Sequence, residues 1–160
     1  MEITFRNIRP EDNPLLANII RRGIEEFDVP TEGTAHSDPT TDNLFQLFQT
    51  PGSYYCVAVL GDTVIGGCGI YPTPGLPEGC AELVRFFLSP AARGKGLGVK
   101  LLEESYAAAR KAGYNSLYLE SFPEMTRAVA MYEKNGFKYL PGPLGNSGHD
   151  ACTVWMIKEI

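Results

Sequence analysis

A chain of 160 residues, 44% hydrophobic and 21% charged, can bury one sizeable core. Its formal net charge of −5 argues against a nucleic-acid surface, and no apolar run is long enough to span a membrane. Cys56, Cys68, Cys80 and Cys152 form no CxxC pair and only two histidines accompany them, so no metal site is expected.

"EITFRNI" alternates and predicts a first strand. Pro10 opens a predicted helix through about Phe27, with Leu15, Leu16, Ile19, Ile20 and Ile24 at helical spacing. A Pro, Thr and Gly-rich loop follows over Val29–Thr41, and Asp42 is placed to cap a short helix, "NLFQLFQ". "SYYCVAVL" and "TVIGGCGIY" flank Gly61-Asp62 and predict a hairpin. "CAELVRFFLS" is a strand ended by Pro90. Leu97, Leu101, Leu102, Ala108, Ala109 and Ala112 mark a helix that Gly113 stops. "SLYLES" is a strand, Glu124–Asn135 a helix stopped by Gly136, "FKYL" a short strand, and "ACTVWMIKEI" the last strand. The order predicts a single α/β domain over 1–160, with a mixed central sheet of about seven strands and about four helices.

"SPAARGKGLGVKLLEES" is the stretch that needs a chemical reason. Gly94, Gly96 and Gly98 stand where a helix begins, and each glycine costs up to about 1 kcal/mol inside a helix. A strand entering a helix through a bare loop suits an anion, because the first helical N–H groups lack internal partners and sit at the positive end of the dipole. A GxxxxGK[ST] phosphate loop fails, since Gly96 follows Lys95. A GxGxxG dinucleotide loop also fails, since Val99 stands where the third glycine belongs, although Glu120 lies where a ribose-binding acid would sit.

"RGKGLG" matches Arg/Gln-x-x-Gly-x-Gly/Ala, and "AVAMYEKNGFKYL" matches an Ala-x-x-x-Tyr-x-Lys-x-Gly-Phe segment downstream. In these motifs, their spacing and the order of elements, the chain resembles the GNAT N-acetyltransferases. The resemblance implies that acetyl-coenzyme A lies where "ELVRFFLS" and "SLYLES" splay apart, pairing with the backbones of Phe86 and Leu88. The Phe86 N–H would hold the developing oxyanion. Gly94, Lys95, Gly96, Leu97 and Gly98 would offer N–H groups to the pyrophosphate, with Arg93 as the cation. Glu82, eleven residues before Arg93, occupies the place of a family general base. Tyr132 matches the tyrosine that protonates the leaving thiolate. Met125 replaces a family asparagine and cannot donate its hydrogen bond, which leaves Thr126 or Arg127 to make that contact.

The small-residue stretch before the last strand offers Asn146, Ser147 and His149 as acceptor-binding candidates. His149 and Cys152 are expected on opposite faces of a strand, against a base–nucleophile pair. The acidic stretch Glu25–Asp42 contains no Lys or Arg and would attract a cationic amine. The expected activity is transfer of acetyl from acetyl-coenzyme A to a primary amine of a small molecule, amino-acid derivative or peptide N-terminus, by direct attack. A coenzyme A-binding sensor without turnover is the alternative. No nucleic-acid or membrane partner is expected, and a homodimer is left open. Thiols in apolar runs and the lack of a signal-peptide core in "MEITFRNIRP" lead to an expected cytoplasmic location.

Overall fold

In the computed structural model, which describes residues 2–160, seven strands form one sheet in the order β1-β2-β3-β4-β5-β7-β6. They are β1 (Ile3–Asn7), β2 (Tyr54–Leu60), β3 (Thr63–Tyr71), β4 (Cys80–Leu88), β5 (Ser116–Ser121), β6 (Lys138–Tyr139) and β7 (Val154–Glu159). The helices are α1 (Asn13–Glu25), α2 (Leu44–Leu47), α3 (Leu97–Lys111) and α4 (Thr126–Lys134). Every neighbouring pair is antiparallel except β4 and β5.

The period-two pattern of β2 divides the core between the two faces. Cys56 and Ala58 face α3 and α4 with Leu97, Leu101, Leu102 and Ala109. Tyr55, Val57 and Val59 face α1 and α2 with Leu16, Ile20, Ile24 and Leu44. Leu60 pairs with Thr63, which leaves Gly61-Asp62 as the predicted two-residue turn.

Two helix starts and one helix face differ from expectation. Pro10–Asp12 is a separate 3-10 turn, and α1 starts at Asn13. The cause is Asp12, whose carboxylate is drawn back to Arg6 at 2.7 and 2.9 Å and to the Arg9 N–H at 2.8 Å. Leu15 points to solvent, 52% exposed, so the helix buries a narrower stripe than its apolar content predicts. Asp42 caps nothing, because its carboxylate is paired with Arg21 at 2.5 Å and α2 begins only at Leu44.

The feature that makes the site is the short register between β4 and β5. Only Cys80, Ala81 and Glu82 pair, with Ser116, Leu117 and Tyr118, before the strands part. Beyond Glu82, β4 stays with β3 but carries a bulge: from Gly67 to Gly69 one strand advances two residues while the other advances three, from Phe87 to Val84. Arg85 sits in this bulge at φ +49°, a left-handed conformation in a non-glycine residue. The Tyr55 hydroxyl donates to the Arg85 carbonyl at 2.9 Å and holds the bulge from beneath.

Candidate active site

A cavity occupies the fork between β4 and β5, lined by Glu82–Phe87 of one strand and Leu119–Phe122 around the end of the other. Met125, Ala128 and Tyr132 of the α4 segment close one side, and His149 and Cys152 another. Of the residues singled out in the sequence, Glu82, Phe86, Tyr132 and His149 therefore meet in one place.

Glu82 is the last β4 residue paired with β5 and lies at the apex of the fork. Its side chain is 4% exposed. Thr73 donates to Oε1 at 2.6 Å, and Oε2 has no partner among the described residues. Burial pushes its pKa up to about 7; the Thr73 hydrogen bond opposes that, the Glu120 charge adds to it, and Arg85 opposes it. A carboxylate poised near neutrality in a cavity has the properties of a general base.

Neither Arg85 nor Phe86 has a register partner on β3 or β5. The Phe86 ring meets Tyr132 edge-on at 6.1 Å, and Tyr132 meets Phe137 at 5.6 Å. Phe87 packs so closely on α1 that a Cβ on Gly23 would stand 2.4 Å from its ring. Both rings thus pack while the Phe86 main chain faces the fork. The Tyr132 hydroxyl has no hydrogen-bond partner among the described residues, and burial raises its pKa well above the ordinary phenol value.

In the loop between β4 and α3, Gly94 and Gly96 take φ +76° and +74°. An added Cβ at either would meet nothing within 4 Å, so no protein contact demands bareness there. The N–H groups of Gly94, Lys95, Gly96, Leu97 and Gly98 have no hydrogen-bond partner among the described residues, and Lys100 N–H is the first to bond back, to the Gly96 carbonyl. A row of free donors at the start of a fifteen-residue helix fits a pyrophosphate. Gly98 differs from the other two: its Cβ would lie 2.8 Å from the Met131 sulfur, so its smallness serves packing.

Arg93 is not free. Its guanidinium holds Glu26 at 2.5 and 2.8 Å and donates to the Leu88 carbonyl at 3.1 and 3.0 Å. That also occupies the Leu88 carbonyl. Lys95, exposed and without an ion pair among the described residues, is the loop's available cation. Thr126 and Arg127 are exposed on the first turn of α4, outside the cavity lining, whereas Met125 lines it.

Asn146 is also exposed; its N–H donates to the Pro74 carbonyl and its side chain accepts from Gly148 N–H. Ser147 donates to Glu120 at 2.7 Å, just behind the lining. His149 and Cys152 depart from expectation: β7 begins only at Val154, so strand alternation does not apply and both line the same cavity. Their pairing still does not activate the thiol. The His149 Nε2–H donates to Asp38 at 2.8 Å, and burial, with Glu120 and Glu82, pushes the Cys152 pKa up to about 12.

Four of the six acids in the stretch are already paired within the fold. Glu25 pairs with His36, Glu26 with Arg93, and Asp42 with Arg21. Asp38 holds both His149 and the buried Arg85, which also donates to Thr40 at 3.0 Å. Sequence reasoning missed Thr73 and Arg85, placed Asp38 only within the acidic stretch, and set Glu120 aside. A period-two reading from Tyr118, which faces Glu82 across the pair, was the available signal for Glu120.

A parallel pair that forks over a cavity, fed by a bare left-handed loop at a helix start, defines the acetyltransferase class that the motifs resemble. The chain belongs to the acetyltransferase (GNAT) family, whose model matches residues 21–137. It is 36% identical over 157 residues to an uncharacterised N-acetyltransferase, YjgM, of Escherichia coli (strain K12), covering 98% of this chain and 94% of that one. Its fold matches that of a PaiA N-acetyltransferase from Thermoplasma acidophilum in complex with coenzyme A, with TM-score 0.80, 21% identity and full coverage (100%) of both chains. It also matches a phosphinothricin acetyltransferase from Sinorhizobium meliloti in complex with acetyl-coenzyme A, with TM-score 0.79, 22% identity and coverage of 100% and 89%. The protein is an N-acetyltransferase of this family. Among the described residues, no helix is long and apolar enough to cross a membrane.

Proposed function

We propose that residues 1–160 form one transferase domain that acetylates a primary amine by direct attack on the thioester, with Glu82 as general base and Tyr132 as general acid. The observation that carries this reading is Glu82 itself: a buried carboxylate at the apex of the fork, with one oxygen open and a pKa near 7. Bound acetyl-coenzyme A supplies an activated acetyl group. The loop from Gly94 to Gly98 holds its pyrophosphate through main-chain N–H groups, assisted by Lys95, and the Phe86 N–H polarises the thioester carbonyl. Leu88 contributes through its N–H, since its carbonyl already serves Arg93. Glu82 takes the ammonium proton, and the Tyr132 hydroxyl gives its own to the thiolate. The burial that raises the phenol's pKa acts on a thiolate beside it in the same direction, so the order of acidity is kept. His149 and Ser147 border the acceptor side. Four free cysteines support a reducing, cytoplasmic setting.

Thiol release from acetyl-coenzyme A across a panel of primary amines tests the reading. Release with no member, in a protein that binds the thioester, would overturn it.

Tyr132→Phe should lower kcat by about 10²-fold, the low end for a general acid, while KM for acetyl-coenzyme A stays near the wild-type value. The hydroxyl makes no hydrogen bond among the described residues, so melting temperature should not fall, and alkaline buffer should not restore the rate. Steady-state kinetics across pH, with a melting curve, check this.

Cys152→Ser should keep most of the activity. At pH 7 a thiol of pKa about 12 is ionised in roughly one molecule in 10⁵, too few to serve as nucleophile. A folded but inactive variant, or acetyl-Cys152 detected by mass spectrometry, would establish a covalent route instead.

A further inference from the structure

We infer that Glu120 is the fixed anionic anchor for the acceptor's ammonium group, and that the acceptor is a primary amine with no carboxylate beside the reacting nitrogen. The inference rests on the amine-acetylation reading above and names its substrate class.

Glu120 lies two residues beyond Tyr118, which pairs with Glu82 across the fork, and both carboxylates line the cavity. Each Glu120 oxygen accepts one neutral donor: Ser147 Oγ to Oε1 at 2.7 Å and the Tyr118 hydroxyl to Oε2 at 2.7 Å. Tyr118 is itself positioned by the Leu144 N–H, which donates to its oxygen at 3.1 Å. The carboxylate is therefore oriented without being neutralised. The groups facing this pair from the surrounding elements are Arg85 on β4, His149 and Cys152 ahead of β7, and Asp38 from the segment before α2. Arg85 and His149 both turn to Asp38, at 3.1 and 2.8 Å, and Cys152 stays a neutral thiol. Arg85 acts on Glu82 only through space, and neither Glu82 nor Glu120 forms an ion pair among the described residues. Glu82 is 4% exposed, and its free oxygen opens into the cavity.

A primary ammonium entering the fork supplies the missing charge. It can donate to Glu82, which removes one proton, while the Glu120 carboxylate holds the nitrogen. A carboxylate on the neighbouring carbon would be brought up against the same two anions. Two like charges about 5 Å apart, at the effective dielectric of a partly buried site, disfavour such an acceptor by about 100-fold. Amines and peptide N-termini meet the requirement; free α-amino acids do not.

Phenethylamine and phenylalanine differ by that one carboxylate and provide the probes. Binding of each to the protein with coenzyme A is measured by calorimetry, and kcat/KM with acetyl-coenzyme A is followed across pH. Wild type is expected to favour phenethylamine by about 100-fold in both. Glu120→Gln should lose most of that ratio and raise KM for the amine. It should also move the acid limb of kcat/KM to lower pH, because Glu82 gives up its proton more readily without a negative neighbour. KM for acetyl-coenzyme A should stay unchanged, and Glu120→Asp should restore the ratio. A purely structural role would move neither the ratio nor the limb. Equal handling of the two probes by wild type, which needs no variant to fold, overturns the inference, as does a folded Glu120→Gln with ratio and limb unmoved. Thiol release that ignores Glu120 removes the inference and keeps the proposed reaction. Glu120-dependent binding of phenethylamine without thiol release keeps the inference and removes the reaction.

Discussion

Gly96→Asn will melt close to wild type yet lose its stabilisation by acetyl-coenzyme A. Gly96 holds φ +74° immediately before α3. Asparagine adopts this left-handed conformation more readily than other side-chain-bearing residues, so the strain should stay below the ~1–2 kcal/mol of an ordinary residue. Among the described residues, nothing lies within 4 Å of the new Cβ. The side chain would instead stand over the free N–H groups of the loop, where a pyrophosphate must approach. For wild type, ligand at 100 times its Kd contributes about 2.7 kcal/mol, or roughly 5–10 °C in a domain of this size. Melting curves with and without acetyl-coenzyme A should show that rise in wild type and not in the variant. Gly98→Ala is the useful contrast, because its Cβ presses the Met131 sulfur at 2.8 Å and should disturb packing first. A Gly96→Asn protein that still gains the full rise would remove the loop from the binding site. NADH should stabilise neither protein.

Glu82→Gln should lower kcat/KM by about 10²–10⁴-fold at neutral pH, the range of a general base. Glutamine keeps an oxygen for the Thr73 hydroxyl and removes only the base. The wild-type rate should rise as Glu82 ionises, with its limb near pH 7, and then level. The variant has no such limb; its rate should go on climbing at alkaline pH as the free amine accumulates unaided. Stability should move the other way. The folded pKa of about 7 lies above the ordinary 4.5, so between those values the folded state binds more protons and wild-type stability falls as pH rises. Above pH 7 that loss is complete and amounts to roughly 3 kcal/mol. Glutamine is never charged, so the variant should be less pH-dependent across this window and melt higher than wild type above it. Thermal melts at intervals between pH 5 and 8, beside the rate profiles, give both answers (roughly the span set by these two pKa values). An unchanged rate at neutral pH would transfer the base to another group or to solvent.

The sequence by itself determined what local chemistry determines. "RGKGLG" foretold a bare loop at a helix start because left-handed glycines and unpaired helical N–H groups follow from a few adjacent residues. Alternation and the turn at Gly61-Asp62 marked the strands, and the family resemblance implied a shared site for Glu82 and Tyr132, which both line the cavity. The tertiary structure alone decided where β4 and β5 part, because register is a property of two strands separated by a whole helix. It bent β4 through Arg85 and set Tyr55 beneath the bulge. It also chose the charge partners. Arg93 meets Glu26 from 67 residues away, and His149 meets Asp38 from 111, so an acidic stretch that reads as a lure for amines is spent largely on internal pairs. Glu120 shows the same division: its place on a strand was legible, but its freedom from any ion pair among the described residues became visible only once the fold had turned Arg85 and His149 to Asp38.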